Sequence, residues 1–570
     1  MASRSIIQLH ILATNEYEFF GSPAALYDLH SSEELLISQK SLNNYFSKCG
    51  DAPKVYRNAV CEIRKGDIYT KATNRGRKRS YEIVNNENEM DSSRIFTREQ
   101  VERLLTATIG KTLLQVDAEQ LFAHHEGRDK VKGIAGDIIE VSVLGCKKDS
   151  RQDPDILVDG VLTELKTTGM IEPKKKDSPY VYECKEPVSI TAVSIPVIVN
   201  EEFETSNFWH KLAHMLWVYY WYKSPVTVKL EGYKDFPILG FQFYEFSDDD
   251  KLLLRQDWLL VRDFLIMIHR EYHSQNKREE QYPRLSHELR GQLMLIDTAP
   301  KFPNNPRFRL KRAYATVISD QYFSKKHFEK LGEAISKYTD IDTKCQLMTL
   351  KYKGKTFKQI AKELKVDIKL DVKNFAESAV VKMFGGHVSK LNDIEDFAKI
   401  GIIAKSVPLL SDGKGKEDMK LFLPNLVDWT KETEFEESAI YDYFAGHHFL
   451  LIIYKHVGND VVFEGFKRVF FDEKFIMDNV KKTWDYVRDL ITNKKLKIER
   501  KTKKDGTVRV NKSGSFMESP NFPKLSTHKV FIRGGASKSL DKYKTLEING
   551  LKMLPQFVWL DKKYVQELIK

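Results

Sequence analysis

The chain has 570 residues, too many for one hydrophobic core, so we expect about two to four domains. Its 42% hydrophobic and 30% charged residues are ordinary for a folded soluble protein. The formal net charge of +11 and the pI of about 9.0 favour a polyanionic partner, nucleic acid before an anionic membrane surface.

Cysteine usage and hydropathy further narrow the class of protein and its expected location. The five cysteines form no C-x-x-C pair, so neither a disulfide framework nor a structural zinc site is indicated, and a reducing cytosol fits. The N-terminus lacks the apolar core and cleavage site of a signal peptide. The longest apolar runs, such as FLLIIY, fall far below the roughly 18 residues of a membrane helix. We therefore expect a cytoplasmic protein without membrane spans.

Residues 1–92 are expected to form a small separate unit that ends in the polar linker NNENEMDSS. A helical pattern precedes two strands around a basic tip that contains Arg75, Arg77 and Lys78. A helix followed by a basic hairpin is typical of a winged-helix arrangement, which would bring these cations near DNA phosphates. A solvated hairpin tip is the alternative. The function of this unit stays open at this point.

The segment KVKGIAGDIIEVSVLGCKK (130–148) predicts a short helix with glycines at both ends. Glu140 on this helix can reach the β-hairpin that the next segment of the sequence predicts. Lys132 precedes the helix, near the positive end of the helix dipole, where phosphate binds readily.

The next segment, PDILVDGVLTELK, predicts a β-hairpin with a two-residue turn at Asp159-Gly160. Glu164 and Lys166 are two residues apart on the second strand, so they share a face, and Asp155 begins the first strand. Two crowded carboxylates repel each other unless a cation lies between them, and Mg²⁺ prefers oxygen ligands. This is the D-x(n)-E-x-K pattern of metal-dependent nucleases. An exposed edge hairpin with solvated charges is the alternative.

Two long segments repeat in the same order. FETSNFWHKLAHMLWVYYWYK (203–223) aligns with FEESAIYDYFAGHHFLLIIYK (435–455), and WLLVRDFL (258–265) aligns with WDYVRDLI (484–491). A period above 200 residues indicates duplicated domains rather than a solenoid.

These blocks together resemble the MutH-like endonucleases, which include the mismatch-repair nicking enzyme and type II restriction endonucleases that cut GATC. The resemblance covers roughly residues 95–570 and is strongest to the two-copy restriction enzymes. It implies a mixed α/β (α+β) protein with tandem restriction-endonuclease-like domains. Residues 93–340 would be the catalytic domain. Residues 341–570 would be a non-catalytic domain that binds a second DNA site as an allosteric effector.

The resemblance also implies roles for single residues. Asp155 and Glu164 would bind the metal ion, with Glu140 as a third acid, and Lys166 would be the catalytic lysine. Further active-site cations would be Lys132 and Lys211. His210 and His214 have a spacing compatible with zinc, but we interpret them as structural because no glutamate stands between them.

The second copy lacks most of these groups. Val381 stands where Glu140 would be, and Tyr443 stands in place of Lys211. In the segment matched to the hairpin, Ile403, Ala404 and Lys405 replace Glu164, Leu165 and Lys166. A site without these acids would hold a metal ion poorly, so no cleavage is expected there.

Candidate DNA contacts follow from the family's recognition loop. Lys301 and Thr298 lie in LIDTAPKFPNN, and Arg533 is their counterpart in the second copy. Ala299 stands where MutH has an arginine, so the target sequence is not fixed by this loop. The basic segment 492–514 predicts either a hairpin with phosphate-contacting flanks or a mobile insertion.

The sequence thus predicts a Mg²⁺-dependent type II restriction endonuclease that acts on double-stranded DNA, with GATC as the target the resemblance implies. One active site per chain predicts dimerisation on DNA or sequential nicking. A mismatch-repair nickase and a non-enzymatic DNA-binding regulator are the alternatives.

Overall fold

The structure is a computed structural model, and it describes the whole chain except for short stretches. The chain folds into two compact units, Met1–Asn88 and Glu89–Lys570. The predicted phosphate contacts Arg75, Arg77, Lys78 and Lys132 lie outside the described residues. The stretches that are not described are 1, 50–53, 71–89, 129–132, 148–152, 174–177, 225–226, 302–303, 325–327, 333–334, 369–371, 373, 433, 504, 511–515 and 536–540.

The N-terminal unit is an antiparallel sheet with helices on one face. Its elements in chain order are β1 (Ala2–Ile11), β2 (Glu16–Phe20), α1 (Pro23–Leu29), α2 (Gln39–Lys48), β3 (Lys54–Arg57) and β4 (Cys61–Thr70). The described strands pair in the order β2-β1-β4-β3. Ile7, Leu9 and Ile63 alternate with polar residues along their strands, and they pack with Leu26 and Leu42 of the helices.

The winged-helix interpretation of this unit is not confirmed. A helix does precede two strands, but the chain turns between β3 and β4 at residues 58–60, before the basic tip. The Oδ1 atom of Asn58 accepts hydrogen bonds from the amides of Val60 and Cys61, both at 2.9 Å, and this local contact fixes the turn. Strands β1 and β2, which were not predicted, complete the sheet.

The first half of the larger unit is built on a mixed sheet and a smaller antiparallel sheet. A π-helical turn, Ile138–Val143, follows α6 directly. The elements are β5 (Ile95–Phe96), α3 (Arg98–Thr106), α4 (Leu113–Val116), α5 (Leu121–His124), α6 (Ile134–Asp137), β6 (Ile156–Val158), β7 (Val161–Ile171), β8 (Glu183–Cys184), β9 (Val188–Ala192), α7 (Ile195–Ile198), α8 (Asn207–Leu212), β10 (Met215–Trp221), α9 (Leu230–Tyr233), β11 (Ile238–Tyr244), α10 (Asp248–Glu271), α11 (Gln275–Gln281), α12 (Arg284–Glu288), β12 (Ile296–Lys301), β13 (Asn304–Leu310) and α13 (Arg312–Phe323).

The second half contains the remaining elements. They are α14 (Tyr338–Tyr352), α15 (Phe357–Leu364), α16 (Phe375–Met383), α17 (Glu395–Ile400), β14 (Ile402–Leu409), β15 (Met419–Lys420), α18 (Leu426–Trp429), α19 (Ala439–Ala445), β16 (His448–Val457), β17 (Asp460–Val469), α20 (Glu473–Phe475), α21 (Lys482–Thr492), β18 (Ile498–Arg500), β19 (Glu518–Pro520), β20 (Val530–Gly534), β21 (Leu546–Ile548), β22 (Leu551–Met553), β23 (Gln556–Leu560) and α22 (Lys562–Leu568). None of the helices in the described part of the chain is long and apolar enough to cross a membrane.

The two halves share a pattern of strand pairing. The described strands of the mixed sheet have the order β11-β10-β7-β6-β5, with β7 parallel to β10 and β10 antiparallel to β11. In the second half, β14 is parallel to β16 and β16 is antiparallel to β17. Each half also has a small antiparallel sheet, β12-β13-β9 or β15-β23-β20, followed by a last helix, α13 or α22.

One element of the predicted repeat is wrong. The segment matched to the first strand of the hairpin forms helix α17, which leads directly into strand β14. Phe397 and Ile400 are buried at helical spacing, and Gly401 ends the helix with a φ of 69°, a conformation that glycine adopts without steric cost. The second half therefore has no hairpin in the place that holds Asp155 in the first half, among the residues that the structure describes.

The two halves of the larger unit share a buried core. Met215, Trp217 and Tyr219 on one face of β10 belong to the same buried cluster as Leu450 and Ile452 on one face of β16. The alternate residues of each strand pack into two separate clusters on the outer faces. The structure thus shows no division of this unit near residue 340, and the boundaries 93–340 and 341–570 stay a prediction.

Candidate active site

The predicted hairpin is confirmed. Strands β6 and β7 are antiparallel, with Val158 paired to Val161, and the turn residues Asp159 and Gly160 have φ values of 47° and 79°. Positive φ at both central positions is typical of the two-residue turn that Asp-Gly favours. Asp155 precedes β6 directly, and its Oδ2 atom accepts a hydrogen bond from the amide of Leu165 at 2.8 Å. This bond ties Asp155 to the residue between Glu164 and Lys166.

Glu164 is a buried carboxylate held between two lysines. It is only 1% exposed. Its Oε1 atom lies 2.5 Å from Nζ of Lys166, and its Oε2 atom lies 2.8 Å from Nζ of Lys211. A buried carboxylate is costly unless cations and hydrogen bonds compensate it, so the two ammonium groups are what make this position tolerable.

Helix α8 places Lys211 at the site. The hydroxyl of Ser206 accepts a hydrogen bond from the amide of Trp209 and caps the N-terminus of α8, while Phe208 and Leu212 are buried. Phe208 and Leu212 anchor one side of the helix, and Lys211 reaches Glu164 near the start of β7. Its Nζ atom is also 3.4 Å from the carbonyl oxygen of Asp153.

Two side chains of the hairpin, Asp155 and Lys166, have pKa values shifted from those of exposed groups. Burial, followed by the charge of Glu164, raises the pKa of Asp155 from 3.8 to about 6. Burial alone would lower the pKa of Lys166, but the charges of Glu164 and Asp155 outweigh it and raise that pKa. The lysine therefore stays protonated at neutral pH, and the aspartate loses its proton near pH 6 rather than near 3.8.

A buried arginine that the sequence reasoning missed organises the other side of the site. Arg94 is 2% exposed. Its Nη1 atom donates to the carbonyl oxygen of Asp155 at 2.7 Å, and its Nη2 atom donates to Oε1 of Glu140 at 2.8 Å and to the carbonyl oxygen of Lys147. No motif surrounds Arg94, so no local signal pointed to this contact.

The helix of Glu140 lies across the sheet from Glu164. Ile138 and Ile139 share a buried cluster with Leu165, whose side chain leaves β7 on the face opposite to its neighbours Glu164 and Lys166. The helix packs closely on β7 here, because a Cβ atom at Gly136 would lie in van der Waals contact with Oγ1 of Thr167, at 3.4 Å. Glu140 is thus linked to Asp155 through Arg94, and its assignment as a third metal ligand stays a prediction.

The carboxylates at the hairpin are suited to a divalent cation. Asp155 and Glu164 supply hard carboxylate oxygens, and their mutual repulsion contributes to the raised pKa of Asp155, as expected for two acids that share a cation. The described residues contain no group of three His, Cys, Asp or Glu side chains placed to hold a metal ion. Asp155 and Glu164 are the two carboxylates at the hairpin that could hold such an ion, and Mg²⁺ commonly keeps other positions for water and phosphate oxygens.

The structure also shows the surroundings of a histidine that was considered for zinc binding and of the residues predicted to contact DNA. Nδ1 of His214 lies 2.9 Å from Oε1 of Glu245. Thr298 is buried, and its hydroxyl lies 3.3 Å from that of Ser286, so the structure does not favour it as a DNA contact. The side chain of Lys301 lies outside the described residues, although its backbone belongs to β12. Arg533 is exposed, stacks on Trp559 at 4.0 Å and pairs with Asp418 at 2.7 Å.

The second half has no comparable site in its described residues. Nζ of Lys405 donates to the carbonyl oxygens of Lys420 and Leu421 at 3.2 and 2.8 Å. Val381 is fully buried, and the ring of Tyr443 packs on Phe422 with 4.2 Å between centroids. These side chains stabilise the core where the first half has charged groups.

Comparisons with known proteins agree with this geometry. The family model described as "DNA mismatch repair enzyme MutH" matches residues 144–257, a span that contains the hairpin and α8. The chain is also 24% identical over 419 residues to the type II restriction enzyme Sau3AI of Staphylococcus aureus, and the alignment covers 68% of this chain and 79% of that enzyme. The resemblance to MutH-like endonucleases is therefore confirmed.

Proposed function

We propose that this chain, which is similar to the MutH family and to a type II restriction enzyme, is a Mg²⁺-dependent type II restriction endonuclease acting on double-stranded DNA. The observation that carries the proposal is the buried Glu164 between Lys166 and Lys211, beside Asp155. A hairpin with solvated charges would not bury a carboxylate or shift the pKa of its neighbour.

Asp155 and Glu164 are the residues that would hold the ion. Bound there, a divalent ion would stabilise the negative charge that grows on the phosphate and would make a bound water more acidic. Arg94 fixes the backbone of Asp155, and the amide of Leu165 fixes its side chain, so the carboxylate is positioned before DNA arrives.

Lys166 and Lys211 are suited to bind phosphate oxygens. The charges of Glu164 and Asp155 raise the pKa of Lys166, so it is a cation that would orient the phosphate and the attacking water. Both lysines pair with Glu164 in the absence of DNA. They would share their charge between Glu164 and the phosphate when DNA is bound.

The second half, residues 341–570, is proposed to bind DNA without cutting it. Its strand pairing repeats that of the first half, while helix α17, Tyr443 and the backbone-bound Lys405 stand where a catalytic site would need acids and free cations. A second DNA site bound there would act as an allosteric effector. GATC is the target implied by the resemblance.

Digestion of plasmid DNA tests this proposal. Methylated and unmethylated plasmids are incubated with the protein in Mg²⁺ or in EDTA, and the ends of the products are sequenced. We expect Mg²⁺-dependent cuts in both strands at one short sequence, through dimerisation on DNA or sequential nicking. Ligatable nicks in one strand as the sole product would instead indicate a nickase, and intact plasmid would indicate a DNA-binding regulator.

A further inference from the structure

Among the residues that the structure describes, the helices α1 and α2 pack on one face of the N-terminal sheet and leave the other face uncovered. Side chains on this face alternate with the buried ones, and the strand register places them level with each other. Gln8 lies between Phe19 and Arg64, and His10 lies between Tyr17 and Glu62. A pocket of about 310 Å³ lies on this face, lined by Gln8, His10, Tyr17, Arg57, Glu62 and Arg64.

Two aromatic rings are exposed on this face. Tyr17 is 52% exposed and Phe19 is 61% exposed. Both side chains lie on the face of β2 opposite to the buried Phe20. The ring of His10 stacks on Tyr17 with 4.1 Å between centroids and 9° between planes, so the imidazole holds the tyrosine ring in a fixed orientation. Neighbouring aromatic residues exposed on a soluble domain mark a binding surface more often than a scattered apolar residue does.

Two arginines lie on the same face of the sheet, on strands that β1 separates from the aromatic rings. The carboxylate of Glu62 is buried in the sheet and pairs with Arg64 at 2.6 Å and with Arg57 at 3.4 Å. Each arginine side chain remains more than half exposed. Glu62 therefore orients two arginines on the face that carries the aromatic rings, across the pocket from Tyr17, and the face has more positive than negative charge.

We propose that this face binds an unpaired nucleotide of DNA. Tyr17 and Phe19 stack on the base, and Arg57 and Arg64 contact the adjacent phosphates. Aromatic residues on an open antiparallel sheet provide a stacking platform for single-stranded bases, and cations beside them fix the backbone. Bases in a paired duplex already stack on each other, so the ligand is a single strand or a nucleotide turned out of a duplex.

Photo-crosslinking with the full chain tests the proposal directly. The protein in EDTA is mixed with an oligodeoxynucleotide that carries 5-iodouracil and lacks GATC, irradiated and digested to peptides. We expect a cross-linked peptide that contains Tyr17 or Phe19. Parallel samples use a fully paired duplex, a duplex with one extrahelical iodouracil and a single-stranded RNA, so they distinguish the source of the unpaired base. Cross-links confined to residues 89–570 in every sample would overturn the proposal.

Binding measurements provide a second test that depends on no photochemistry. The double variant Tyr17→Ala and Phe19→Ala should bind the single strand about tenfold more weakly for each base that is stacked. The control Lys40→Gln and Lys48→Gln removes two exposed cations from helix α2 on the other side of the sheet, and we expect it to leave the affinity within about twofold. Equal affinity of the double variant and the wild type would contradict the proposal. Because EDTA prevents cutting, the result does not depend on whether the chain is a nuclease.

Discussion

Nη2 of Arg94 lies 2.8 Å from Oε1 of Glu140, and Nη1 of the same arginine holds the carbonyl oxygen of Asp155 at 2.7 Å. One buried side chain thus connects the helix of Glu140 to the start of the hairpin. The arrangement explains how a residue distant in sequence from both segments keeps them in a fixed position at the site.

Removing this arginine should destabilise the protein and loosen the site. Arg94→Met leaves Glu140 and two carbonyl groups without their donor, and we expect it to lower the free energy of unfolding by about 3–5 kcal/mol. Urea unfolding measures this loss. Arg98→Met is the matched control, because Arg98 pairs with Glu102 at an exposed site, and should cost less than about 1 kcal/mol. Similar losses for both variants would mean that Arg94 has no special role.

The ionisation of Asp155 should control cation binding. With a pKa of about 6, Asp155 is protonated below that pH and competes with a metal ion for the same oxygen. Affinity for Mn²⁺ or Mg²⁺ should therefore be nearly constant above about pH 7 and fall by up to about tenfold per pH unit well below the pKa. Calorimetric titrations at several pH values measure this. The reverse trend would contradict the assignment.

The raised pKa also has a consequence for stability without metal. The folded state holds a proton on Asp155 up to about pH 6, whereas the unfolded chain releases it near pH 3.8, so this group favours folding at low pH and the benefit is lost as the pH rises through 6. Asp155→Asn keeps the acceptor for Leu165 and removes the charge. We expect this variant to unfold at a higher temperature than the wild type in EDTA at neutral pH, as measured by calorimetry.

Lys166 and Lys405 provide a matched pair, since Lys405 was predicted to stand in the second copy where Lys166 stands on the hairpin strand. Lys166→Met should abolish cutting and leave DNA binding within about tenfold, because it removes one phosphate contact. Lys405→Met should retain cutting and lose stability by about 1–3 kcal/mol, because the carbonyl groups of Lys420 and Leu421 lose their donor. Cutting rates and urea unfolding of both variants test this contrast. Loss of cutting by Lys405→Met, with cutting retained by Lys166→Met, would contradict the assignment of Lys166 as the active-site lysine.

The hairpin alternative for the basic segment 492–514 is confirmed in its described part, and we expect its cations to bind DNA phosphates. The amide of Lys503 bonds to the carbonyl of Thr507 at 2.8 Å, and that of Arg509 to the carbonyl of Lys501 at 2.8 Å. The side chains of Lys501, Lys503 and Arg509 form no ion pair with another described residue.

Replacing these three cations with glutamine should weaken DNA binding and reduce its salt dependence. The slope of log K against log salt should become shallower by about 0.9 for each phosphate that the hairpin no longer neutralises. Lys524→Gln is the control, because Lys524 pairs with Glu499 at 2.7 Å and should contribute little to the slope. Fluorescence anisotropy over a range of salt concentrations measures both proteins, and equal slopes would exclude this hairpin from the DNA surface.

Local signals decided which features were predictable. The Asp-Gly turn between two short apolar strand segments, within residues 156–166, specifies the hairpin without help from the rest of the chain. Helix α17 was missed because the apolar spacing of its segment suits a helix as well as a strand, and packing against the shared core decides between them. The contacts of Arg94 span 46 and 61 residues, and no local pattern encodes them.

The most direct test of the account compares cutting with binding in carboxylate variants. Asp155→Asn and Glu164→Gln are assayed on plasmid DNA in Mg²⁺, with Glu99→Gln, an exposed acid on α3, as the control. We predict that cutting by the first two falls about a thousandfold or more, the loss of about 4 kcal/mol of transition-state stabilisation, while DNA binding and the control are unchanged. Digestion by either variant at the wild-type rate would contradict the assignment of this hairpin as the active site.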